Sequence, residues 1–560
     1  MSALPPDPSL RAVVVVPARN EEERIGRCLR ALAEQDGLEP GAFEVVLILD
    51  HCTDDTRPRA LEAAFEGPSL PLIVLESDLT GAGHARRQGM DFACARLLAA
   101  DRPDGLIAST DADSVVAPDW LATQLVLAHE GARAIGGRID LDPGEAAALP
   151  VAVLQARGDQ ARERLAHLRA RTADGACAHH QFSGASLAVT ARTYREIGGL
   201  PIGEALEDEA LERALEDRGI QILRTARVHV TTSARTDGRA SRGLARDLAL
   251  GDWRARRTFR AGQFSVEGLI ERKTGPITVI LPAREVAATI GPIVDSVRGL
   301  RERGLVDEIL VVDAASEDGT ALAAAACGAT VLQEDELLTE YGPARGKGDA
   351  MWRALSVARG EIVVFLDADT TGFSPSFVVG LLGPLLADPE IRFVKGSFLR
   401  PLLLDGNILP GQGGRVTELV ARPLLNLYAP HLAGFDQPLA GELAARSDLL
   451  RSLSFPAGYG VEIANLLDAA RLAGTWALAQ VDLGTRQNRH QSLRDLSAMS
   501  YAVMVAAAAR IQVAGLPPAP APGPLVLPPR PDETAIELRQ VSVLERPPLD
   551  SLAGLAAALH

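Results

Sequence analysis

Two kinds of apolar pattern alternate along the chain. Short unbroken runs of Val, Ile and Leu, such as Val13–Val16 and Ile277–Leu281, each end in a Pro-containing turn and lead into a stretch with helical spacing. A second pair of runs, Val45–Leu49 and Ile309–Val312, ends at an aspartate, and a third, Leu106–Ile107 and Ile362–Leu366, ends at Asp-Ala-Asp. A strand with no polar alternation is buried on both faces, so strands of this kind alternating with helices predict a parallel sheet covered by helices. Ligands of such sheets bind beyond the carboxyl ends of the strands. Asp50, Asp113, Asp313 and Asp369 fall at those ends.

The same series of segments occurs twice. Pro-Ala-Arg starts at Pro17 and at Pro282, the Asp-ending strands finish at Asp50 and Asp313, GAGHA and GKGDA start at Gly81 and Gly346, and the Asp-Ala-Asp triplets end at Asp113 and Asp369. The offsets of 265, 263, 265 and 256 keep one order with small loop drift, which identifies two copies of one domain. The expected division is a first domain over 1–260, a connector over 261–276, a second domain over 277–515, and a Pro-rich linker and tail over 516–560. A chain of 560 residues has room for this. Whether the tail docks back is open from sequence.

Composition narrows the partners. Apolar residues make up 47% and charged ones 23%, an ordinary globular balance, and the net charge of −16 gives no general attraction to nucleic acid or an anionic membrane. The longest apolar stretch, near Met499–Ala509, is too short to span a bilayer, no secretory signal is visible, and five cysteines form no CxxC pair. A reduced, cytoplasmic protein is expected.

Two carboxylates at the tip of a buried strand repel each other and are poorly solvated, and a divalent cation removes that cost. Carboxylate oxygens suit Mg²⁺ or Mn²⁺, and Mg²⁺ commonly takes one or two carboxylates plus phosphate oxygens, so a metal diphosphate is the natural ligand. Gly346-Lys347-Gly348 opens a helix, where glycines admit an anion to the backbone and the lysine adds a full charge. It lacks the spacing of a Walker loop.

PAR(N/E), the Asp-ending strand, GxG-x-A and DAD in this order resemble the family-2 nucleotide-sugar glycosyltransferases of GT-A fold. The resemblance implies an α/β protein of two tandem GT-A domains, each a mostly parallel sheet flanked by helices. In the second copy, GKGDAMWRAL, FLDADT, RFVKGSF, GGRVTELVARPLL, AGFDQPLAGELAAR, FPAGYGVEI and QVDLGTRQNRHQSL further resemble the glucosyl-3-phosphoglycerate synthases. That likeness implies retaining transfer of glucose from UDP- or GDP-glucose to the 2-hydroxyl of 3-phosphoglycerate, with Mg²⁺ or Mn²⁺. Mannose as the sugar and glycerate as the acceptor are the neighbouring readings. By motif match, Pro282, Ala283, Glu285, Asp313, Lys347, Asp367 and Arg489 would hold the donor and Asp369 the metal. Arg415 and Thr417 would hold the acceptor's anionic groups, and Tyr459 and Glu462 would be catalytic residues lining the sugar and the acceptor hydroxyls. An Arg fork is suited to a phosphate or carboxylate. The likeness leaves a homodimer open.

Two departures from the family pattern stand out. Copy two has Pro282-Ala283-Arg284-Glu285 where Pro-Ala-x-Asn-Glu is usual, whereas copy one keeps Asn20-Glu21. The expected Arg-x-His-Arg-Asn reads Arg486-Gln487-Asn488-Arg489-His490, so His490 is taken as the second metal ligand with Asn488 as the alternative. In copy one, Asn20, Glu21, Asp50 and Asp111 would meet a donor, Asp113 a metal, and Asp208 would be the general base, a carboxylate that accepts the acceptor hydroxyl's proton. His229 is either a donor-site contact or a paired strand histidine. The acceptor of copy one is not legible. A nucleotidylyltransferase would open with a Gly-rich loop that PARE is not, and a sugar-nucleotide-binding module would need neither Glu462 nor Asp208.

Overall fold

The computed structural model describes residues 4–66, 68–171, 177–201, 207–238, 243–404, 407–409, 413–486, 492–511, 523–527, 537–541 and 544–552. The chain forms two compact units, 1–255 and 256–560. In the first, the strands are β1 (Ala12–Ala18), β2 (Phe43–Leu49), β3 (Leu72–Glu76), β4 (Leu106–Ser109), β5 (Ser114–Val116), β6 (Ala134–Leu141), β7 (Leu187–Thr190) and β8 (Ile222–Thr232). They make one sheet in the order β3-β2-β1-β4-β7-β6-β8-β5. The β1–β4 core is parallel, β7 runs antiparallel between β4 and β6, and β6 pairs parallel with β8.

The second unit repeats the plan. Its strands run β9 (Thr258–Arg260), β10 (Ile277–Ala283), β11 (Glu308–Asp313), β12 (Thr330–Gln333), β13 (Ile362–Phe365), β14 (Phe393–Leu399), a short pair β15 (Leu402–Leu404) and β16 (Asn407–Leu409), then β17 (Leu443–Arg446), β18 (Phe455–Pro456) and β19 (Leu478–Thr485). The main sheet is β12-β11-β10-β13-β17-β14-β19-β9. Val15 pairs with Ser109 and Ser109 with Leu187, while Ile280 pairs with Phe365 and Phe365 with Leu443. The central strands of the two sheets therefore correspond residue by residue, and Asp111 and Asp113 correspond to Asp367 and Asp369, whereas the outer edges differ: β5 runs antiparallel to β8 and β9 parallel to β19. Val279, Val311 and Val364 of the central strands are fully buried, as their unbroken apolar runs require. These are tandem GT-A domains.

The boundary departs from expectation. Residues 256–276 belong to the second unit: Thr258–Arg260 pairs with β19 as an edge strand, and the Val266–Arg272 helix buries Leu269 in that unit's core. The sequence hid this because Phe259, Phe264, Val266 and Ile270 pack one at a time among arginines rather than as an apolar run.

Two short segments of the expected tail also fold. β20 (Leu525–Leu527) pairs with β21 (Glu537–Arg539), and β22 (Glu545–Arg546) pairs antiparallel with β18. Among the described residues no helix is long and apolar enough to cross a membrane.

Candidate functional site

In the second unit the loops after β10, β11 and β13 converge with the start of the Lys347–Val357 helix. Gly346 has φ of 101°, which favours glycine, and a Cβ on Gly348 would lie 1.9 Å from the Pro456 carbonyl oxygen, so the helix start can press against β18 only without side chains there. This places Lys347 inside. Its Nζ donates to Asp367 Oδ1 at 2.5 Å and to Glu462 Oε1 at 2.9 Å. Burial opposes the ammonium charge, but Asp367 and Glu462 outweigh it and hold Lys347 above its ordinary range. Burial would likewise raise Asp367, yet Lys347 and Arg486 keep it well below the usual carboxylate value.

Arg486, fully buried just past β19, is the second tie. Its Nη1 lies 3.0 Å from Asp367 Oδ2 and also meets Glu442, and its Nη2 donates to Asp369 Oδ1 at 3.2 Å. Asp369 is the open member of the pair, with 58% of its side chain exposed. A Cβ on Gly441 would stand 2.3 and 2.6 Å from the Asp367 oxygens and 2.4 Å from Lys347 Nζ. Gly441→Ala is therefore expected to cost about 1–3 kcal/mol through overpacking and to weaken donor binding. Thermal unfolding and a donor titration check it, and unchanged values in both would refute the contact.

Lys395 is fully buried within β14, and its Nζ donates to the Ala440 carbonyl at 2.8 Å. Burial, aided by Lys347 and opposed by Glu462, lowers its ammonium to about 8, against an ordinary 10.5. Between those values the unfolded chain holds the extra proton, so stability rises with pH across that window, and the charge penalty is largest below pH 8. The melting temperature of Lys395→Met relative to the native chain should accordingly be highest near neutrality and should fall as pH approaches 10.5. A difference that stays flat with pH would contradict this.

Asp313, expected from the sequence to meet the donor, is 1% exposed. Its Oδ2 accepts from Ser316 N and Gln333 Nε2, both at 3.1 Å, while its buried Oδ1 has no hydrogen-bond partner among the described residues. Glu285 takes φ of 52°, and its Oε1 accepts from Glu317 N at 2.9 Å. Asn20 in the first unit takes the same φ of 52° and accepts from Thr53 N at 2.7 Å. The PARE departure thus preserves a loop-to-loop tie. Pro282 and Ala283 end β10 beside Asp313. Thr417 is buried at the start of a π-helical turn, Arg415 is half-buried just before it, and Tyr459 is 51% exposed ahead of the Val461–Ala473 helix that carries Glu462. His490, Asn488 and Arg489 lie outside the described residues.

The first unit reaches the same charge pattern with different residues. Alanine stands at position 82, where the second unit has Lys347, and the cation comes one helical turn later. Arg86, on the Ala82–Ala99 helix, donates to Asp111 Oδ1 at 2.6 Å and to Glu207 Oε1 at 2.9 Å, and also bonds Ser109 and the Gly184 carbonyl. The glycine moves with it. A Cβ on Gly184 would lie 2.3 Å from Arg86 Nη2, and the second unit has Ala440 there and Gly441 one place on. Where Arg86 and Ser109 stand, the second unit has buried Met351 and Phe365.

Asp113 is met by Arg235 at 2.9 Å, and Arg235 also forks onto Glu21 at 2.8 and 2.6 Å. A metal at Asp113 would have to displace that guanidinium. Burial and Asp111 raise the Asp113 carboxyl to about 7, against Arg235. Asp50 accepts from Gly81 N at 3.0 Å, tying the second strand to the glycine turn. Burial and Glu207 push Asp208 above the usual carboxylate range, against Arg86. His229 pairs with Asp140 at 2.9 Å, the paired strand histidine of the two readings.

Sequence reasoning missed Arg86, Lys395, Glu442 and Arg486. Lys395 carried a signal, a lone charge within the apolar strand FVKGSFL; the other three are partners that only the fold brings together.

The model of "Glycosyl transferase family 2" matches residues 13–178 and again 278–391. A glucosyl-3-phosphoglycerate synthase of Mycolicibacterium paratuberculosis is 43% identical over 280 residues, covering 49% of this chain and 85% of the relative. The crystal structure of mannosyl-3-phosphoglycerate synthase from Rubrobacter xylanophilus is 46% identical, covering 54% of this chain and 98% of that one, with a TM-score of 0.49. That of glucosyl-3-phosphoglycerate synthase from Mycobacterium tuberculosis in complex with Mn²⁺, uridine-diphosphate and glucosyl-3-phosphoglycerate is 40% identical, covering 51% and 95%, with a TM-score of 0.45. With the family's domain present twice, this chain belongs to glycosyl transferase family 2 and is a hexosyltransferase.

Proposed function

We propose that the second unit transfers glucose from UDP- or GDP-glucose to the 2-hydroxyl of 3-phosphoglycerate with retention, and that the first unit is a second glycosyltransferase with its own acceptor. The observation that carries this reading is the 43% identity to a glucosyl-3-phosphoglycerate synthase across 85% of its length, and the synthase motifs fall on residues 346–493. Asp313, whose buried Oδ1 has no partner among the described residues, fits the nucleoside side of the donor.

Asp369 offers hard carboxylate oxygens at the open edge of the pair, which fits a Mg²⁺ or Mn²⁺ ion completed by donor phosphates. The ion would neutralise charge on the departing diphosphate. Lys347 fixes Glu462 beside the reacting sugar, and Arg486 holds the Asp367–Asp369 turn in place. Arg415 and Thr417 bind the acceptor's phosphate or carboxylate in this reading, with Arg489 on the donor and His490 as the further metal ligand. The reading places the enzyme in the cytoplasm, where sugar nucleotides and phosphoglycerate meet, and leaves a homodimer to be tested by its mass in solution.

The test is to incubate UDP-glucose or GDP-glucose with 3-phosphoglycerate and Mg²⁺, using the native chain, Asp369→Ala and Asp113→Ala. Product should vanish with Asp369→Ala and persist with Asp113→Ala. Persistence with Asp369→Ala, or no product from the native chain, would overturn the assignment.

A further inference from the structure

The cleft of the first unit, a cavity of about 1620 Å³, is lined by Asp50, Asp111, Asp113 and Asp208 on its catalytic side. The long Val151–Arg171 helix forms another part of its wall. This helix buries only Val153. An amphipathic helix ordinarily turns an apolar stripe inward; here the face toward the cleft carries Arg157, Arg164, His167 and Arg171 with Gln160 and a single acid, Glu163. His180 completes the group. A second cavity of about 430 Å³ shares Arg157, Arg164 and His180 but none of the four aspartates.

Among the described residues, Arg157 and Arg164 form no hydrogen bond or ion pair, whereas Arg138 is met by Asp140, Arg162 by Asp159 and Arg171 by Glu216. The acids that act on Arg157 are Asp247, from the Leu244–Arg257 helix, and Asp140, itself engaged by Arg138 and His229. Burial and Arg164 outweigh them and lower the guanidinium, and burial with Arg164, His179, Arg157 and Arg224 lowers His180 to about 4. Arg157 is half-buried and its acids do not offset the cost of that burial, so an anion bound between it and the exposed Arg164 would relieve it.

We propose that the first unit takes an anionic acceptor, a hydroxyl compound bearing a phosphate or carboxylate, with Arg157, Arg164 and His180 as its anion subsite. The proposal rests on reading that cleft as a second sugar-nucleotide site, with the acceptor's hydroxyl toward Asp208 and its charge toward the arginines. It also separates the two units by means: Arg415 and Thr417 would read the anion in one, and a helix face with no counterpart motif in the other.

The experiment titrates inorganic phosphate into the full chain by calorimetry, comparing the native chain, Arg157→Gln/Arg164→Gln and the single exposed variant Arg164→Gln. The expected result is loss of one phosphate site in the double variant, weakening of about tenfold or more in Arg164→Gln, and unchanged glucosyl transfer to 3-phosphoglycerate. Glycerol, which is neutral, should not compete, and sulfate should. Equal stoichiometry and affinity in all three proteins would overturn the subsite. If the native chain makes no glucosyl-3-phosphoglycerate yet the phosphate site depends on Arg164, the function proposed for the second unit fails and the subsite stands.

Discussion

Replacing Lys347 by alanine is expected to cut glucosyl transfer roughly a hundred- to thousandfold and to destabilise the second unit by about 3–5 kcal/mol. The lysine is the only cation that touches Glu462 among the described residues, and it shares Asp367 with Arg486 alone. Removing it leaves Glu462, 7% exposed, with an uncompensated charge. The first unit shows what would compensate. There the cation stands four residues later as Arg86, beside Ser109, with the glycine at 184. Moving only the charge, as Lys347→Ala/Met351→Arg, should fail, because the bulk of Phe365 and the Cβ of Ala440 stand where Ser109 and Gly184 make room. Adding Phe365→Ser, Ala440→Gly and Gly441→Ala transplants the whole arrangement and should recover roughly half or more of the lost melting temperature, since a satisfied buried pair replaces an orphaned acid. If the five-fold variant is no more stable than Lys347→Ala, the two ion-pair systems are not interchangeable and the correspondence drawn between the units is wrong.

The contrast explains what was legible. The strands and the repeat could be read because buried parallel strands leave unbroken Val, Ile and Leu runs, and because Pro17/Pro282 and the two DAD triplets are local in sequence. Asp313, Lys347, Asp367 and Glu462 could be named as candidates because they lie in motifs. Arg86 could not, since a helical arginine gains meaning only when Asp111 and Glu207, 25 and 121 residues away, arrive beside it. Arg486 was passed over for the histidine expected two residues further on, although its buried guanidinium joins three carboxylates. The edge strand at 258–260 was missed for a different reason: its pairing with β19 is by backbone, and only Phe259 in it is apolar.

Arg546→Ala should give the second large effect, from a residue 199 positions beyond Lys347 that no motif marks. The segment 544–552 returns to β18 and the Lys347–Val357 helix: Ala457 N donates to the Leu544 carbonyl, Glu545–Arg546 pairs with Phe455–Pro456, and Trp352 Nε1 donates to the Pro547 carbonyl at 2.8 Å. Arg546 then forks onto Asp349, Nε to Oδ1 at 2.9 Å and Nη2 to Oδ2 at 2.6 Å, with its guanidinium 5.5 Å from the Trp352 ring centroid and Nη1 on the Tyr341 carbonyl at 2.8 Å. Asp349 is fully buried two residues after Lys347, and its Oδ2 also accepts from Arg345 N at 2.9 Å, so this carboxylate fixes the turn that aims the lysine. Arg353 remains as a single-bond partner at 3.1 Å when Arg546 is gone. Loss of the fork should cost about 3 kcal/mol and raise the donor KM more than it lowers kcat, because the turn loosens while Asp369, Arg415 and Tyr459 keep their places. Arg546→Lys keeps the charge without the bidentate geometry and should fall between. Ending the chain before Leu544 should match or exceed Arg546→Ala; if it leaves melting temperature and donor KM unchanged, the strap is ornamental and Asp349 is held by Arg353 and the backbone alone.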